Sequence, residues 1–466
     1  MDLRRPAGTP SRFRAPPKAQ AGPRLELTVD SLAFGGEGVA RHEGLVVLVD
    51  GGLPGDRVVA RVVHRSRNFA RARVETVLSP SPHRIPARCA HFPECGGCSY
   101  QHLDYSAQLA AKRGQVVDLL ERIGRFSAPS VAPALGAARP FLYRNRMTYA
   151  FASREGSAPG LHRRGDPLGV VEVPGCLLPE STLQQAYLRL RDDLRSLPPG
   201  RRPSQIAIQA GESGEFPVGM LRGPGDPPAD ILRLAVAWTA DAGPLRGVVW
   251  VGESGERQRD RGSVPRFLSG EGHVHRRLGA YRYRLPAGSF FQANTEVAAT
   301  LFEEVARRCS IGSGDILELY SGVGALTLFL GGTGMRVLAV EGDATAVRAA
   351  EVNARENRVE TVEFRTEGVQ EAVSRLGASG RKFGTVVVDP PRSGLPPATA
   401  GILCKLALQR ILYISCNPST LARDLKAMAE SGEWRLQEVV PVDLFPQTAE
   451  IECLAELLPV PQERRS

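Results

Sequence analysis

Two polar constellations close runs of aliphatic and β-branched residues in the C-terminal part of the chain. Ser415-Cys416-Asn417-Pro418 follows Arg410–Ile414, and Asp389-Pro390-Pro391-Arg392 follows Thr385–Val388. Cys416 heads a helix-like stretch, where the N-terminal dipole can stabilise a thiolate, and a thiolate is a nucleophile. A third run ends in Glu318-Leu319-Tyr320-Ser321-Gly322-Val323-Gly324. Gly322 and Gly324 let a ligand approach the backbone, and the following helix offers unpaired N–H groups. Glu341 ends the next run and is placed to accept hydrogen bonds from ribose hydroxyls. A dinucleotide fingerprint needs a third glycine where Thr327 stands. S-adenosylmethionine carries no pyrophosphate, so the pattern points to that cofactor rather than to a nicotinamide one. The bland alternative is a tight turn with an exposed acid.

A second set of reactive side chains lies nearer the N-terminus. Cys89, Cys95 and Cys98 are spaced C-x5-C-x2-C in a loop-like stretch, and Cys176 sits in Val173-Pro174-Gly175-Cys176. Four thiolates suit a tetrahedral zinc ion or a [4Fe–4S] cluster, and spacing does not separate the two. Cys309, Cys404 and Cys453 lack partners at useful spacing and read as packing residues.

Such side chains need a scaffold that gathers the ends of separate strands. Candidate strands Asp315–Tyr320, Met335–Val340, Thr361–Arg365, Thr385–Asp389, Arg410–Ser415 and Gln437–Val442 alternate with helical stretches such as Asp343–Asn357 and Ser419–Glu430. This predicts an α/β domain over 289–466 with a doubly wound parallel sheet. Ligands bind beyond the carboxyl ends of such strands, so Asp389 and Cys416 should face the crevice of Gly322 and Glu341.

Residues 23–80 have another texture. Leu25, Leu27 and Val29 alternate with polar residues, and Val46–Val49, Val58–Val63 and Val74–Leu78 are β-rich. Close turn signals between them predict a small all-β barrel. Arg57, Arg61, Arg65, Arg67, Arg71 and Arg73, with no acid among them and with His64 and Phe69 interleaved, suit an RNA backbone with stacking bases. A solvated strand face is the competing reading. Residues 81–288 form a β-rich central region that holds the cysteines. A helix within 101–125, with Leu109, Val116, Leu119, Leu120 and Ile123 at helical spacing, could pack on the C-terminal domain. Residues 1–22 read as a disordered basic tail.

Composition narrows the class. The 466 residues carry a net charge of +9, which favours a polyanionic partner. No apolar run reaches the length of a membrane helix, and the basic, Pro-rich start is unlike a secretory signal. Eight cysteines are too few for a disulfide scaffold, so a reducing cytoplasm is expected.

Together the motifs resemble those of the RNA (uracil-5-)-methyltransferases, over nearly the whole chain. Ser289-Phe290-Phe291-Gln292-Ala293-Asn294, Glu318–Gly324, Asp389–Gly394, Ser415–Thr420 and Asp443–Glu452 stand in the family's order, and the barrel looks like the RNA-binding domain called TRAM. The resemblance implies a Rossmann-like class I methyltransferase domain behind an OB-like barrel. It implies that Gln292, Tyr320, Glu341 and Asp389 line the S-adenosylmethionine site beside Gly322 and Gly324. It implies Cys416 as nucleophile and Glu452 as general base. It also favours a [4Fe–4S] cluster on Cys89, Cys95, Cys98 and Cys176, in a structural or RNA-organising role. Tyr143-Arg144-Asn145-Arg146 resembles a segment near the RNA-facing part of the central domain, with a solvated strand face as the competing reading.

The last motif departs from the family. Members often read F-P-[HY]-T-x-H-x-E, whereas Gln447 and Glu450 replace the frequent aromatic or histidine residues here. Glu450 and Glu452 would point the same way on a strand, and the motif register selects Glu452. Ala325 and Gly368 stand where some relatives place a polar cofactor contact.

The activity implied is formation of 5-methyluridine in structured RNA by addition of Cys416 to uracil C6, on a base flipped from its stack. The 23S rRNA is the expected substrate, because barrel and cluster together resemble the large-subunit enzymes more than the shorter tRNA enzymes. A tRNA uracil-5 methyltransferase, an N- or O-methylating enzyme and a non-catalytic RNA-binding assembly factor are the alternatives. A cytoplasmic monomer with no obligate protein partner and no membrane association is expected.

Overall fold

The structure, a computed structural model, describes residues 22–152, 157–253, 265–396 and 398–461. The tail read at 1–22 lies, except for its last residue, outside the described residues. Two compact units form: the barrel through Pro82 with Gly165–Pro167, and the chain from His83 onward with Phe34–Gly36.

In the first unit, β1 (Arg24–Leu32), β2 (Gly38–His42), β3 (Leu45–Asp50), β4 (Arg57–Arg65) and β5 (Phe69–Ser79) close in the order β1-β2-β3-β5-β4. Closure leaves no open sheet edge. Strand alternation turns Leu27, Val29, Val47, Val49, Val58 and Ala60 inward. The arginines fall on the outside, and four of the six meet acids. Arg57 pairs with Glu26 at 3.0 Å, Arg61 with Glu75 at 2.5 Å, Arg71 with Glu37 at 3.3 Å and Arg73 with Asp50 at 3.1 Å. The arginine run holds no acid, but strand pairing and the loops bring acids from elsewhere. Exposed Arg65 and Arg67 have no ion pair among the described residues.

The second unit begins with α1 (Tyr105–Arg122), capped by Asp104, whose side chain accepts from the Ala107 N–H. Next come β6 (Arg146–Ala150), the short pair β7 (Leu161–Arg163) and β8 (Asp166–Val171), then α2 (Ser181–Arg195), β9 (Gln205–Gln209), β10 (Val218–Pro224), α3 (Ala229–Trp238), β11 (Gly247–Glu253) and β12 (Arg266–Gly270). A sheet in the order β12-β11-β10-β9-β6 packs on α2 and α3 through Leu183, Tyr187, Leu190, Ile231 and Trp238. The hairpin β13 (His273–Leu278) and β14 (Tyr281–Pro286) follows.

The C-terminal part runs α4 (Thr295–Ser310), β15 (Ile316–Leu319), α5 (Thr327–Gly331), β16 (Val337–Glu341), α6 (Ala344–Glu356), β17 (Val362–Thr366), α7 (Val369–Ser379), β18 (Phe383–Val388), α8 (Thr399–Leu406), β19 (Ala407–Ser415), α9 (Pro418–Ala429), β20 (Trp434–Val442) and β21 (Glu452–Pro459). The sheet order is β17-β16-β15-β18-β19-β21-β20. Strands β15 to β19 are parallel, as the alternation of elements predicts. Alternate residues feed two cores: Ile316 and Val387 one face, Leu317, Leu319, Val386 and Val388 the other. Helix α1 adds Val116 and Leu120 to the second core. The all-parallel expectation fails at β21, which inserts antiparallel between β19 and β20. Its first six residues are all buried, so no alternation marks it as a strand. Among the described residues no helix is long and apolar enough to cross a membrane.

Candidate active site

Cys416 stands at the carboxyl end of β19, just before the cap of α9. The Asn417 side chain accepts from Ser419 N–H at 3.1 Å and its amide donates to the Arg392 carbonyl at 3.0 Å. The Thr420 hydroxyl donates to that same carbonyl at 3.2 Å. The loops after β18 and β19 are thus laced together, which fixes Asp389 and Cys416 in one crevice. Cys416 borders a cavity of about 460 Å³, shared with Arg144, Arg392, Asn417, Thr448 and Glu450.

Electrostatics in the crevice differ from the sequence expectation. Burial, then the charges of Glu452 and Asp389, push the Cys416 thiol up to about 11, against an opposing pull from Arg392. The free protein therefore holds a thiol: the helix dipole is outweighed by desolvation and two carboxylates. Glu452 is 4% exposed, and burial followed by Asp389 raises its carboxyl well above the usual range. Burial raises Asp389 as well. Glu318 goes up to about 8, through burial first, with Thr327 opposing and Asp389 and Glu341 adding. Sequence reasoning quoted Glu318 within its motif but gave it no role. An acid inside a buried strand was the available signal.

Glu450 and Glu452 do not share a strand face as expected. Strand β21 starts at Glu452, which lies opposite Val442. Glu450 precedes the strand, is 38% exposed in its side chain, and pairs with Arg392 at 2.5 Å.

The turn after β15 has the features of a ligand cradle. Tyr320 takes a φ of 68°, a conformation costing a non-glycine residue about 1 kcal/mol or more. Gly322 has a φ of 55°, and a Cβ there would meet open space. At Gly324 a Cβ would lie 3.1 Å from that of Ala350, so glycine lets α6 come close. Glu341 accepts from Gly322 N–H at 3.1 Å and from Asp343 N–H at 2.8 Å. Ser321 Oγ is buried with no partner among the described residues. An open side at Gly322 and an orphaned hydroxyl fit a polar small molecule. Ala325 and Gly368 add no polar side chain to it.

Cys89, Cys95, Cys98 and Cys176 border one cavity of about 390 Å³, together with Phe290, Phe291 and Gln292. Gln292 is buried, and its carbonyl accepts from the Asn145 side chain at 2.7 Å. Gln101 donates to Cys98 Sγ at 3.2 Å and Gly97 N–H to Cys95 Sγ at 3.4 Å. Burial raises the thiols of Cys95, of Cys98 to about 12 and of Cys176 to about 11. Among the described residues, no three His, Cys, Asp or Glu side chains are grouped so as to hold a single metal ion. Arg144 borders both cavities, its guanidinium 5.6 Å from the Phe445 ring centre and 5.9 Å from that of Tyr143. Tyr143 and Asn145 are buried beside it, so this segment is not a solvated strand face.

Comparison with known proteins bears on this geometry. Residues 267–458 match the family model described as tRNA (Uracil-5-)-methyltransferase, and residues 18–74 match the TRAM domain. An uncharacterized RNA methyltransferase of Thermosynechococcus vestitus is 32% identical over 451 residues, covering 94% of this chain and 98% of its own. One from Nitratidesulfovibrio vulgaris is 33% identical over 453 residues, covering 94% and 96%. Among solved structures, the tRNA (uracil-54, C5)-methyltransferase of Pyrococcus abyssi in complex with S-adenosyl-L-homocysteine superposes with a TM-score of 0.71 at 25% identity, over 93% of this chain and 100% of that one. A laced crevice at the carboxyl edge of a doubly wound sheet, a closed N-terminal barrel and near full-length relatives give one answer: the chain belongs to the RNA uracil-5-methyltransferase family, with a TRAM domain at its N-terminus.

Proposed function

We propose that this enzyme forms 5-methyluridine through a covalent bond between Cys416 and the target base. The observation that carries the reading is one crevice holding a cavity-lining cysteine beside two carboxyl groups of raised pKa, Asp389 and Glu452. Uracil C5 is a weak nucleophile. Cys416 loses its proton to solvent and its sulfur bonds to C6; the C5–C6 π pair becomes a C4–C5 double bond and the C4–O4 π pair moves to O4, an enolate with carbanion character at C5. Tyr320, Gly322, Gly324, Glu341, Asp389 and Gln292 would hold S-adenosylmethionine, whose sulfonium methyl C5 would take as the S–CH3 bond breaks and S-adenosylhomocysteine leaves. Glu452 takes the C5 proton, the double bond re-forms, the C6–S bond breaks and Cys416 leaves as thiolate. A buried carboxylate with a raised pKa suits that proton transfer.

The test separates the two side chains by their order of action. Cys416→Ala should abolish methylation and give no covalent RNA adduct. Glu452→Gln should methylate once and stay bonded to its RNA, as a denaturation-resistant band. If Glu450→Gln traps RNA while Glu452→Gln turns over normally, the wrong carboxylate has been named.

Cys89, Cys95, Cys98 and Cys176 are the proposed ligands of a [4Fe–4S] cluster. The four thiols line one cavity, and the resemblance to the family favours a cubane over a single zinc. N–H groups aimed at Cys95 and Cys98 are the kind that support metal thiolates. A cluster would tie residues 89–98 to 176 and would displace the thiol protons on binding. Anaerobically purified protein should be brown, with iron and sulfide each near about four per chain, and Cys95→Ser should lose the colour. Colourless protein holding one zinc would overturn the assignment.

The work is divided, on this reading, among an RNA-gripping barrel at 23–80, a central region at 81–288 and a catalytic domain at 289–466, in a cytoplasmic monomer. Ribosomal RNA is the proposed substrate, on the strength of the barrel and cysteine set together. Transfer RNA is the second reading, favoured by the Pyrococcus abyssi structure. Mapping methylated uridines in RNA from a deletion strain decides between them.

A further inference from the structure

Strands β20 and β21 meet at Val442 and Glu452, so residues 443–451 form a loop whose base is closed by the proposed general base itself. A lysine from a distant helix sits inside this loop. Lys112 of α1 donates from Nζ to Asp443 Oδ1 at 2.5 Å, to the Glu450 carbonyl at 2.8 Å and to the Phe445 carbonyl at 3.3 Å. The Lys112 and Asp443 side chains are 1% and 0% exposed. The three protons of one ammonium are thus matched by acceptors near both ends of the loop, two at its start and one at its close.

One helical turn earlier, Gln108 faces the same loop. Its amide donates to Gln447 Oε1 at 3.1 Å and its carbonyl oxygen accepts from the Gln447 N–H at 3.2 Å. The Gln447 backbone has a φ of 70°, and its carbonyl accepts from the Ser99 and Tyr100 N–H groups. Gln447 is one of the positions at which this chain departs from the motif.

Stability does not explain the arrangement. Burying an ammonium and a carboxylate costs several kcal/mol of desolvation, and well-packed apolar residues in their place are often as stable or more so. What a three-pronged ammonium does supply is one path for the loop. We propose that Lys112 is a positioning residue for proton abstraction: it fixes the 443–451 loop so that the Glu452 carboxylate meets the C5 proton, with the Gln108–Gln447 pair as a second clamp. The inference rests on the reading of Glu452 as the base.

The test uses the full-length protein and a double variant, Lys112→Met with Asp443→Leu, which removes both charges and leaves neither unpaired. A displacement of about 1 Å can cost about 10²-fold in rate, so kcat should fall by about that factor while the KM for RNA stays near its original value. The slow step should be release, so a denaturation-resistant RNA adduct should accumulate as it does for Glu452→Gln. A loop with only a structural role would lower the melting temperature and give no adduct. A second pair, Lys112→Gln with Asp443→Asn, keeps neutral hydrogen-bonding groups, and decides the matter by the same adduct assay if the first does not fold. If Glu452→Gln traps RNA but neither folded double variant does, the positioning role is overturned and the base assignment stands. If Glu452→Gln traps nothing either, the base assignment falls and takes this inference with it.

Discussion

The barrel and the carboxyl edge of the seven-stranded sheet use charge in opposite ways. On the barrel, opposite charges meet in solvent: Arg57 and Glu26 are 59% and 60% exposed, and Glu75 serves both Arg24 and Arg61. Such pairs contribute about 0–1 kcal/mol each and weaken with salt. In the crevice, like charges are buried together. Burial raises Glu318, Asp389 and Glu452, Asp389 adds to the rise of the other two, and Asp389 and Glu452 also raise Cys416. Burial there changes which groups hold protons, and that is where proton chemistry can be done. Charge on the surface sets affinity for a polyanion; charge in the crevice sets reactivity. A count of charged residues along the chain does not distinguish the two.

The largest effect of this difference should appear in stability against pH. Glu318 rises from an ordinary value of 4.5 to about 8 in the folded protein. Its contribution is fully present below the unfolded value and is lost as pH rises through the folded one. At about 1.4 kcal/mol per pH unit, the upper bound is about 4 to 5 kcal/mol. The urea midpoint should therefore fall between about pH 5 and pH 8, and Glu318→Gln should make that fall shallower. Glu75, on the barrel, shifts the other way, lowered by its hydrogen bonds to Arg61 and Arg24. Its contribution is present above the unfolded value and is lost on acidification, so Glu75→Gln should leave the slope over the same window unchanged. If the two variants change that slope equally, the contrast between crevice and barrel is wrong.

What could be read from the sequence divides along a similar line. Strands β15, β16, β18 and β19 were legible because each ends in a polar or glycine-bearing constellation, and β17 because it falls in the alternation with helical stretches. The positions of Cys416, Asp389, Gly322 and Glu341 followed from that topology. Strand β21 was not legible, because burial on both faces removes the alternation that marks a strand. Helix α4 was passed over although Asn294 caps it by accepting from the Val297 N–H, a signal that was present. Lys112 was hidden for another reason: on a helix, a lysine between alanine and arginine reads as a solvated face, and only the fold shows the loop wrapped around it. The arginine run from Arg57 to Arg73 was legible as a run, but its neutralisation was not, since Glu26, Glu37, Glu75 and Asp50 come from outside it.

That last point sets the smallest of the expected effects. RNA binding by the barrel should depend on arginines that are free to meet phosphates. Arg65 and Arg67, exposed near the turn between β4 and β5, are the candidates; Arg57 and Arg73 are held by acids. Each phosphate contact contributes about 0.7 to 0.9 to the slope of log affinity against log salt. The pair Arg65→Ala and Arg67→Ala should reduce the slope for a structured RNA by about 1.5. The pair Arg57→Ala and Arg73→Ala removes the same formal charge but should reduce it by less, because a phosphate approaching these side chains also approaches Glu26 and Asp50. Both variants keep the inward-facing residues of the barrel, so folding is a common baseline. Equal losses from the two pairs would mean that the cross-strand acids do not hold their arginines back. The electrostatic footprint would then be set by the number of arginines on the barrel, and pairing would be irrelevant to it.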